Sequence, residues 1–167
     1  YGFIGKNGAG KTTLLRLVTS LASPNSGTME LFGSGDDKDL KTARSRIGSL
    51  IETPAFFPKM NARDNLEFYR IQYGLHDSSE IDRALHIVNL TDTGRKRYRE
   101  FSLGMKQRLG LALAIMGAPE FLILDEPING LDPTGLIEFR QIIHRLNREM
   151  NTTILISSHI LSELAQV

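Results

Sequence analysis

The 167-residue chain contains no cysteine. That excludes a disulfide framework and any thiolate metal site, and it fits a reducing compartment. An excess of one charge is missing too: 20 Lys and Arg against 19 Asp and Glu leave a net charge of +1. The overall charge therefore gives no reason to expect nucleic acid or an anionic surface as a partner. No apolar run approaches the roughly 20 residues of a membrane-spanning helix, so any membrane role must run through another protein. No signal peptide, internal repeat or low-complexity tract is visible. The chain opens on Tyr1-Gly2-Phe3-Ile4 without an initiator Met. It closes on Leu161-Ser162-Glu163-Leu164-Ala165-Gln166-Val167, which reads as part of a helix. The expectation is a piece cut at both ends. Hydrophobic residues make up 41%, enough to bury one core with room for a sub-domain.

Two segments carry chemistry. Gly5-Lys6-Asn7-Gly8-Ala9-Gly10-Lys11-Thr12 fits the pattern G-x-x-x-x-G-K-[ST]. Gly5, Gly8 and Gly10 free the backbone for turns that aim N–H groups at phosphate oxygens, and the helix that follows points its positive end at the same place. Lys11 is expected on the β- and γ-phosphates and the Thr12 hydroxyl on Mg²⁺. The bland alternative is a glycine turn that happens to fit. The second segment is the apolar run Phe121-Leu122-Ile123-Leu124 ending in Asp125-Glu126. At the carboxyl end of a parallel strand, Asp125 can hold Mg²⁺ through water while Glu126 polarises the water that attacks a γ-phosphate. An acidic cap between strand and helix is the alternative. Together the two segments make a nucleotide hydrolase the default.

The rest of the chain reads as strands alternating with helices. Strands are expected at Tyr1 to Ile4, Thr28 to Phe32, Ile47 to Ile51, Phe121 to Leu124 and Thr153 to Ser157. Helices are expected from Lys11 to about Ser20, with Leu14, Leu15, Leu17, Val18 and Leu21 on the buried side, and from Asn61 as cap to about Tyr73. Further helices run from about Ser79 to Leu90, from the Phe101–Met105 segment to Met116, and from Thr134 to Met150. Gly33 to Asp39 reads as a surface loop. Continuous apolar strands between helices imply an α/β fold with a parallel sheet covered on both faces. The helices over about 61–116 form a sub-domain within a single domain spanning 1–167. The basic stretch Arg95-Lys96-Arg97-Tyr98-Arg99 reads as solvated surface, and nucleic acid is not expected.

With both motifs placed, the whole chain resembles the nucleotide-binding domain of an ATP-binding cassette (ABC) transporter, a P-loop NTPase. Phe101-Ser102-Leu103-Gly104-Met105-Lys106-Gln107-Arg108 resembles the family signature, usually L-S-G-G-Q. Gly130-Leu131-Asp132-Pro133 resembles the segment that meets the facing subunit, and Ser157-Ser158-His159 the segment bearing a switch histidine. The resemblance implies ATP and Mg²⁺ as ligands, with Gly5 to Lys11, Thr12 and Thr13 on the nucleotide. It makes Glu126 and His159 catalytic, with Thr12, Glu52 and Asp125 at the metal. Ser102, Leu103, Gly104 and Met105 would complete the site of a second copy, and Asp132 would touch that copy. The implied partners are a homodimer or pseudo-dimer of ATP-binding domains and a membrane-spanning permease, at the cytoplasmic face of the membrane.

Two departures mark this chain. Glu52 stands where the family usually has Gln, and Leu103 and Met105 replace the first glycine and the glutamine of the signature. A carboxylate at 52 can still accept from metal-bound water or ligate Mg²⁺, or it is only a surface charge. With Pro54-Ala55-Phe56-Phe57-Pro58, these departures resemble the branch of bacterial exporters for bacitracin and lantibiotic-type peptides. A soluble ABC ATPase of translation or another non-transport process is the competing function. The short gap between Glu52 and Ser102 disfavours the chromosome-maintenance members, which carry a long coiled coil there.

Overall fold

The computed structural model describes residues 1–160, so the expected helix at 161–167 lies outside the described residues. In chain order the elements are β1 (Gly2–Ile4), α1 (Lys11–Val18), α2 (Asp37–Arg44), β2 (Ile47–Leu50), α3 (Ala62–Gln72), α4 (Ser79–Ile87), α5 (Leu103–Ile115), β3 (Phe121–Asp125), α6 (Pro133–Met150) and β4 (Thr153–Ser158). The strands are parallel and lie side by side as β1-β4-β3-β2. This is the helix-flanked parallel sheet expected from the sequence.

The unbroken apolar runs follow from burial on both faces. Successive strand residues point to opposite sides, and β3 and β4 pair Leu122 with Ile154 and Leu124 with Ile156. Those residues join Phe139, Ile142, Ile143 and Leu146 of α6 in the larger core. Ile123 points the other way, to Leu15 of α1 and Ile51. Leu122, Ile123 and Leu124 are 0% exposed, each burial being worth about 1.5–3 kcal/mol. The same larger core takes in α3, α4 and α5. Helix α5 is buried continuously from Leu109 to Ile115, as a helix wedged between other elements must be. It reaches β2 because residue 48 is glycine: an added Cβ would overlap the Ala114 carbonyl oxygen and lie 2.9 Å from Pro119 Cγ.

Caps set the helix starts. The Asn61 side chain accepts from the Asp64 N–H (2.8 Å) to open α3, and Ser102 Oγ accepts from the Met105 N–H (3.2 Å) to open α5. Arg46 reaches Glu120 with both Nε and Nη2, at 2.6 Å each, and ties the starts of β2 and β3 together. That paired guanidinium holds the Glu120 carboxyl below its ordinary pKa.

Three local expectations change. Thr28 to Phe32 is not a strand; among the described residues no strand runs beside it, and only an isolated antiparallel bridge joins Leu31 to Ser34. Part of the expected loop is helix α2. Its acids, Asp37 and Asp39, lie in the first turn and its bases, Lys41 and Arg44, in the last, which suits the helix dipole, while Leu40 and Ala43 are buried. On α1 only Lys11 and Leu15 are fully buried; Leu14 is 47% and Leu21 62% exposed. The helix ends at Val18, and Ser20 at φ 64 turns the chain out of helical phase before Leu21.

Candidate active site

Because the strands are parallel, Ile4, Leu50, Asp125 and Ser158 all end at one edge of the sheet, where open α/β sheets bind ligands. The loop after β1 reaches α1 through Gly8 at φ 81 and Gly10 at φ 89, values that a residue with a Cβ adopts only under strain. Gly5 needs no such freedom; its added Cβ would meet Ala9 Cβ at 3.4 Å, an ordinary contact. Lys11, the first residue of α1, is 6% exposed. Its ammonium donates to the carbonyls of Gly5 (2.6 Å) and Lys6 (3.3 Å) and lies 3.4 Å from Glu126 Oε1. Two carbonyl acceptors and a nearby carboxylate compensate the ammonium, as burial of the charge requires.

One residue along, Thr12 Oγ1 donates to Asp125 Oδ2 at 2.6 Å. The other oxygen of Asp125 accepts from Ser157 Oγ. That hydroxyl in turn accepts from the Glu126 N–H at 3.0 Å. Ser157 is 0% exposed and holds both carboxylate-bearing residues at once. Sequence reasoning did not single it out as a site residue; its place beside His159 at the end of an apolar strand was the available signal. Glu126 has φ 47, a left-handed backbone that costs a non-glycine residue about 1–2 kcal/mol. Its carboxylate spans Lys11 on one oxygen and His159 Nδ1 on the other, the latter at 2.7 Å.

The structure therefore brings together Lys11 and Thr12 from the start of α1, Asp125 and Glu126 at the end of β3, and His159 just after β4. Asn7, Gly8, Gly10, Lys11, Thr12, Thr13 and Glu126 line an open depression of about 210 Å³. Lys6 and Ala9 are exposed on the same loop. Glu52 is not with Thr12 and Asp125; it forms an ion pair with Arg16.

A second depression of about 300 Å³ is lined by residues that include Ser102, Leu103, Gly104, Asp132 and Gly135. Here the start of α5 meets the start of α6, where Asp132 Oδ1 accepts from the Gly135 N–H at 3.0 Å. No residue lines both depressions. Met105 turns away from the second one and packs against the larger core. The basic residues Arg95, Lys96, Arg97 and Arg99 are exposed.

The model of the family described as ABC transporter matches residues 1–129. The bacitracin transport ATP-binding protein BcrA of Bacillus licheniformis is 51% identical over 167 residues, which is 100% of this chain and 55% of that protein. The BcrA of Enterococcus faecalis is 48% identical, with 54% of it covered. The lantibiotic transport ATP-binding protein SrtF of Streptococcus pyogenes is 42% identical over 165 residues, 98% of this chain and 69% of that protein. The chain thus spans about half the length of the two bacitracin relatives. Among solved structures, cbiO1 from Clostridium perfringens, part of the ABC transporter complex cbiONQ, superposes with a TM-score of 0.81 at 27% identity, covering 95% of this chain and 66% of that one. A dimeric ATP-binding cassette bound to ADP and Pi shares the fold with a TM-score of 0.83 at 22% identity, covering 99% of this chain and 76% of that one. Two nucleotide motifs converging at one sheet edge, a family model covering most of the chain and relatives matched along its whole length lead to one assignment: the chain belongs to the ABC transporter family.

Proposed function

We propose that this chain is the ATP-binding and ATP-hydrolysing part of an ABC exporter, working at the cytoplasmic face of the membrane through a membrane-spanning permease. The observation that carries the proposal is Glu126, held between Lys11 and His159 beside the Thr12–Asp125 pair. The names of the bacitracin and lantibiotic relatives support a peptide antibiotic as the exported substrate, and with it a role in antibiotic resistance. Among the described residues no helix is long and apolar enough to cross a membrane, which agrees with a separate permease. Residues 1–167 act as a single domain, with 61–116 as its helical sub-domain.

The loop from Gly5 to Gly10, with Lys11, Thr12 and Thr13, takes the phosphates of ATP: N–H groups at Gly8 and Gly10 and the start of α1 supply donors and positive charge. Lys11 exchanges its carbonyl and carboxylate acceptors for phosphate oxygens. The donor set beside it fits Mg²⁺. Thr12 and Asp125 present oxygens only, and among the described residues no cluster of three His, Cys, Asp or Glu could hold a metal without substrate, in keeping with a cation that shares its shell with phosphate and water. When bound, Mg²⁺ offsets phosphate charge as the γ-phosphoryl group leaves. Ser157 fixes the Asp125 carboxylate and the Glu126 backbone. Glu126 accepts the proton of the attacking water, and His159 orients that carboxylate through Nδ1. Ser102 and Gly104, with Leu103 and Met105 in the same segment, complete the site of a second copy that Asp132 touches, so the working unit is a dimer.

Glu126→Gln in the full-length protein should cut hydrolysis by about 10²–10⁴-fold, the scale of a general base, while ATP still binds. Lys11→Ala should weaken binding itself. Radiolabelled ATP turnover and filter binding separate the two; normal turnover by Glu126→Gln would overturn the assignment of the base.

A further inference from the structure

Thr12 and Arg16 are one turn apart on α1, so their side chains lie on one face of the helix. Each meets a carboxylate at the strand ends. Thr12 donates to Asp125 at the end of β3, and Arg16 pairs with Glu52 just beyond β2. Leu50, the last residue of β2, is in register with Leu124, so Glu52 follows the strand at the same end of the sheet as Asp125. The two rungs differ in how firmly they are held. Asp125 is also fixed by Ser157, whereas the Arg16 and Glu52 side chains are 44% and 61% exposed. An exposed pair of that kind contributes little to stability and opens readily. It nevertheless settles where the Glu52 carboxylate rests: on a guanidinium, one helical turn from the Thr12–Asp125 oxygens.

We infer that Arg16 is a positioning residue that keeps Glu52 off the cation site, so that Glu52 joins the Thr12–Asp125 oxygens only when the pair opens. The inference rests on the reading of Thr12 and Asp125 as the Mg²⁺ position. Arg16 thereby sets how much Mg²⁺ the site needs before nucleotide is held firmly. Freeing Glu52 from a pair that holds it this weakly should tighten the cation by at most about fivefold. Deleting the Arg16 charge at a distance, through screened water, accounts for no more than about threefold.

The test is a Mg²⁺ titration of the full-length protein with a fluorescent non-hydrolysable ATP analogue, which reads binding and needs no turnover. Arg16→Gln should lower the Mg²⁺ midpoint about fivefold. Arg16→Lys, which keeps a charge for Glu52, should stay within about threefold of the parent. In a Glu52→Gln background, Arg16→Gln should shift the midpoint by no more than about threefold. Both side chains reach solvent and neither belongs to the core, so folding is not at stake. An unshifted midpoint in Arg16→Gln, or an equal shift with Glu52 and with Gln at 52, would overturn the inference. If the parent protein showed no Mg²⁺-dependent nucleotide binding, or Lys11→Ala bound as well as the parent, the reading of the site would fall and this inference with it. Normal Mg²⁺-dependent binding with no effect of Arg16 would sink the inference alone.

Discussion

Ser157→Ala is the sharpest probe of how the site is held. The Ser157 hydroxyl is fully buried, donates to Asp125 Oδ1 and accepts from the Glu126 N–H at 3.0 Å. The Glu126 N–H keeps a second acceptor, the Ser157 carbonyl at 3.2 Å, so its loss is cushioned. The Asp125 oxygen loses its hydroxyl donor. A hydrogen bond to a charged group is worth about 1.5–3 kcal/mol, and a methyl-sized replacement leaves the carboxylate oxygen short of a donor. Ser157→Ala should therefore cost about 2 kcal/mol in urea unfolding. It should also lower kcat about tenfold, because Asp125 and the strained turn at Glu126 both lose their brace. ATP affinity should change less than kcat, since Lys11 and the glycine loop make no contact with Ser157. Equilibrium unfolding, single-turnover hydrolysis and nucleotide binding measured on one preparation would check all three. If Ser157→Ala kept its stability and its kcat, the hydroxyl would not be bracing the site and the mechanism would need another means of fixing Asp125.

Three further outcomes follow from the geometry. Gly48→Ala should destabilise by about 1–3 kcal/mol, the usual cost of overpacking, because the new Cβ drives into the Ala114 carbonyl; unchanged unfolding would mean that α5 is free to move. Glu120 has a depressed pKa from its Arg46 pair, so the small stabilisation it brings is present above the ordinary carboxylate pKa and lost as pH falls through the folded-state value. Glu120→Gln should then be slightly less stable than the parent at pH 7 and equal to it in acid, read by unfolding at both pH values. Ser102→Arg should leave monomer ATP binding nearly intact and abolish the ATP-dependent dimer of the Glu126→Gln protein in sedimentation; a persisting dimer would refute the proposed role of the signature segment.

What was legible in the sequence, and what was not, divides along physical lines. The sheet was legible because parallel strands buried on both faces tend to be apolar without interruption, as Phe121 to Leu124 and Ile154 to Ile156 are. The convergence of Lys11, Thr12, Asp125 and Glu126 was legible because the phosphate and metal chemistry proposed for them asks for those residue types at fixed places after a strand. Helix α2 was not: Leu40 and Ala43 are its only buried residues, too few to make a periodic signal among so many charges. The strand expected at Thr28 to Phe32 had the right composition, but a strand needs a neighbour to satisfy its backbone, and composition cannot supply one. Glu52 was legible as a carboxylate near the site, yet its pairing with Arg16 depends on the rotation of α1 against the sheet, which packing sets.

The same division bears on how the site is kept from collapsing. Lys11 lies 3.4 Å from Glu126 and donates to the Gly5 and Lys6 carbonyls, so it is a buried charge with partners and not an open cost. Glu126 still sits at φ 47, so part of what these partners contribute is spent holding its backbone where the carboxylate faces both Lys11 and His159. A strained backbone persists only where the surroundings over-determine it, and here Ser157 does so from the neighbouring strand with its carbonyl and its hydroxyl. The chemistry proposed for Glu126 thus depends on β4 as much as on β3. Any change that shifts β4 along its register should loosen Asp125 and Glu126 together with the phosphate loop, because β4 also pairs with β1 and its Ser158 carbonyl accepts from the Gly5 N–H.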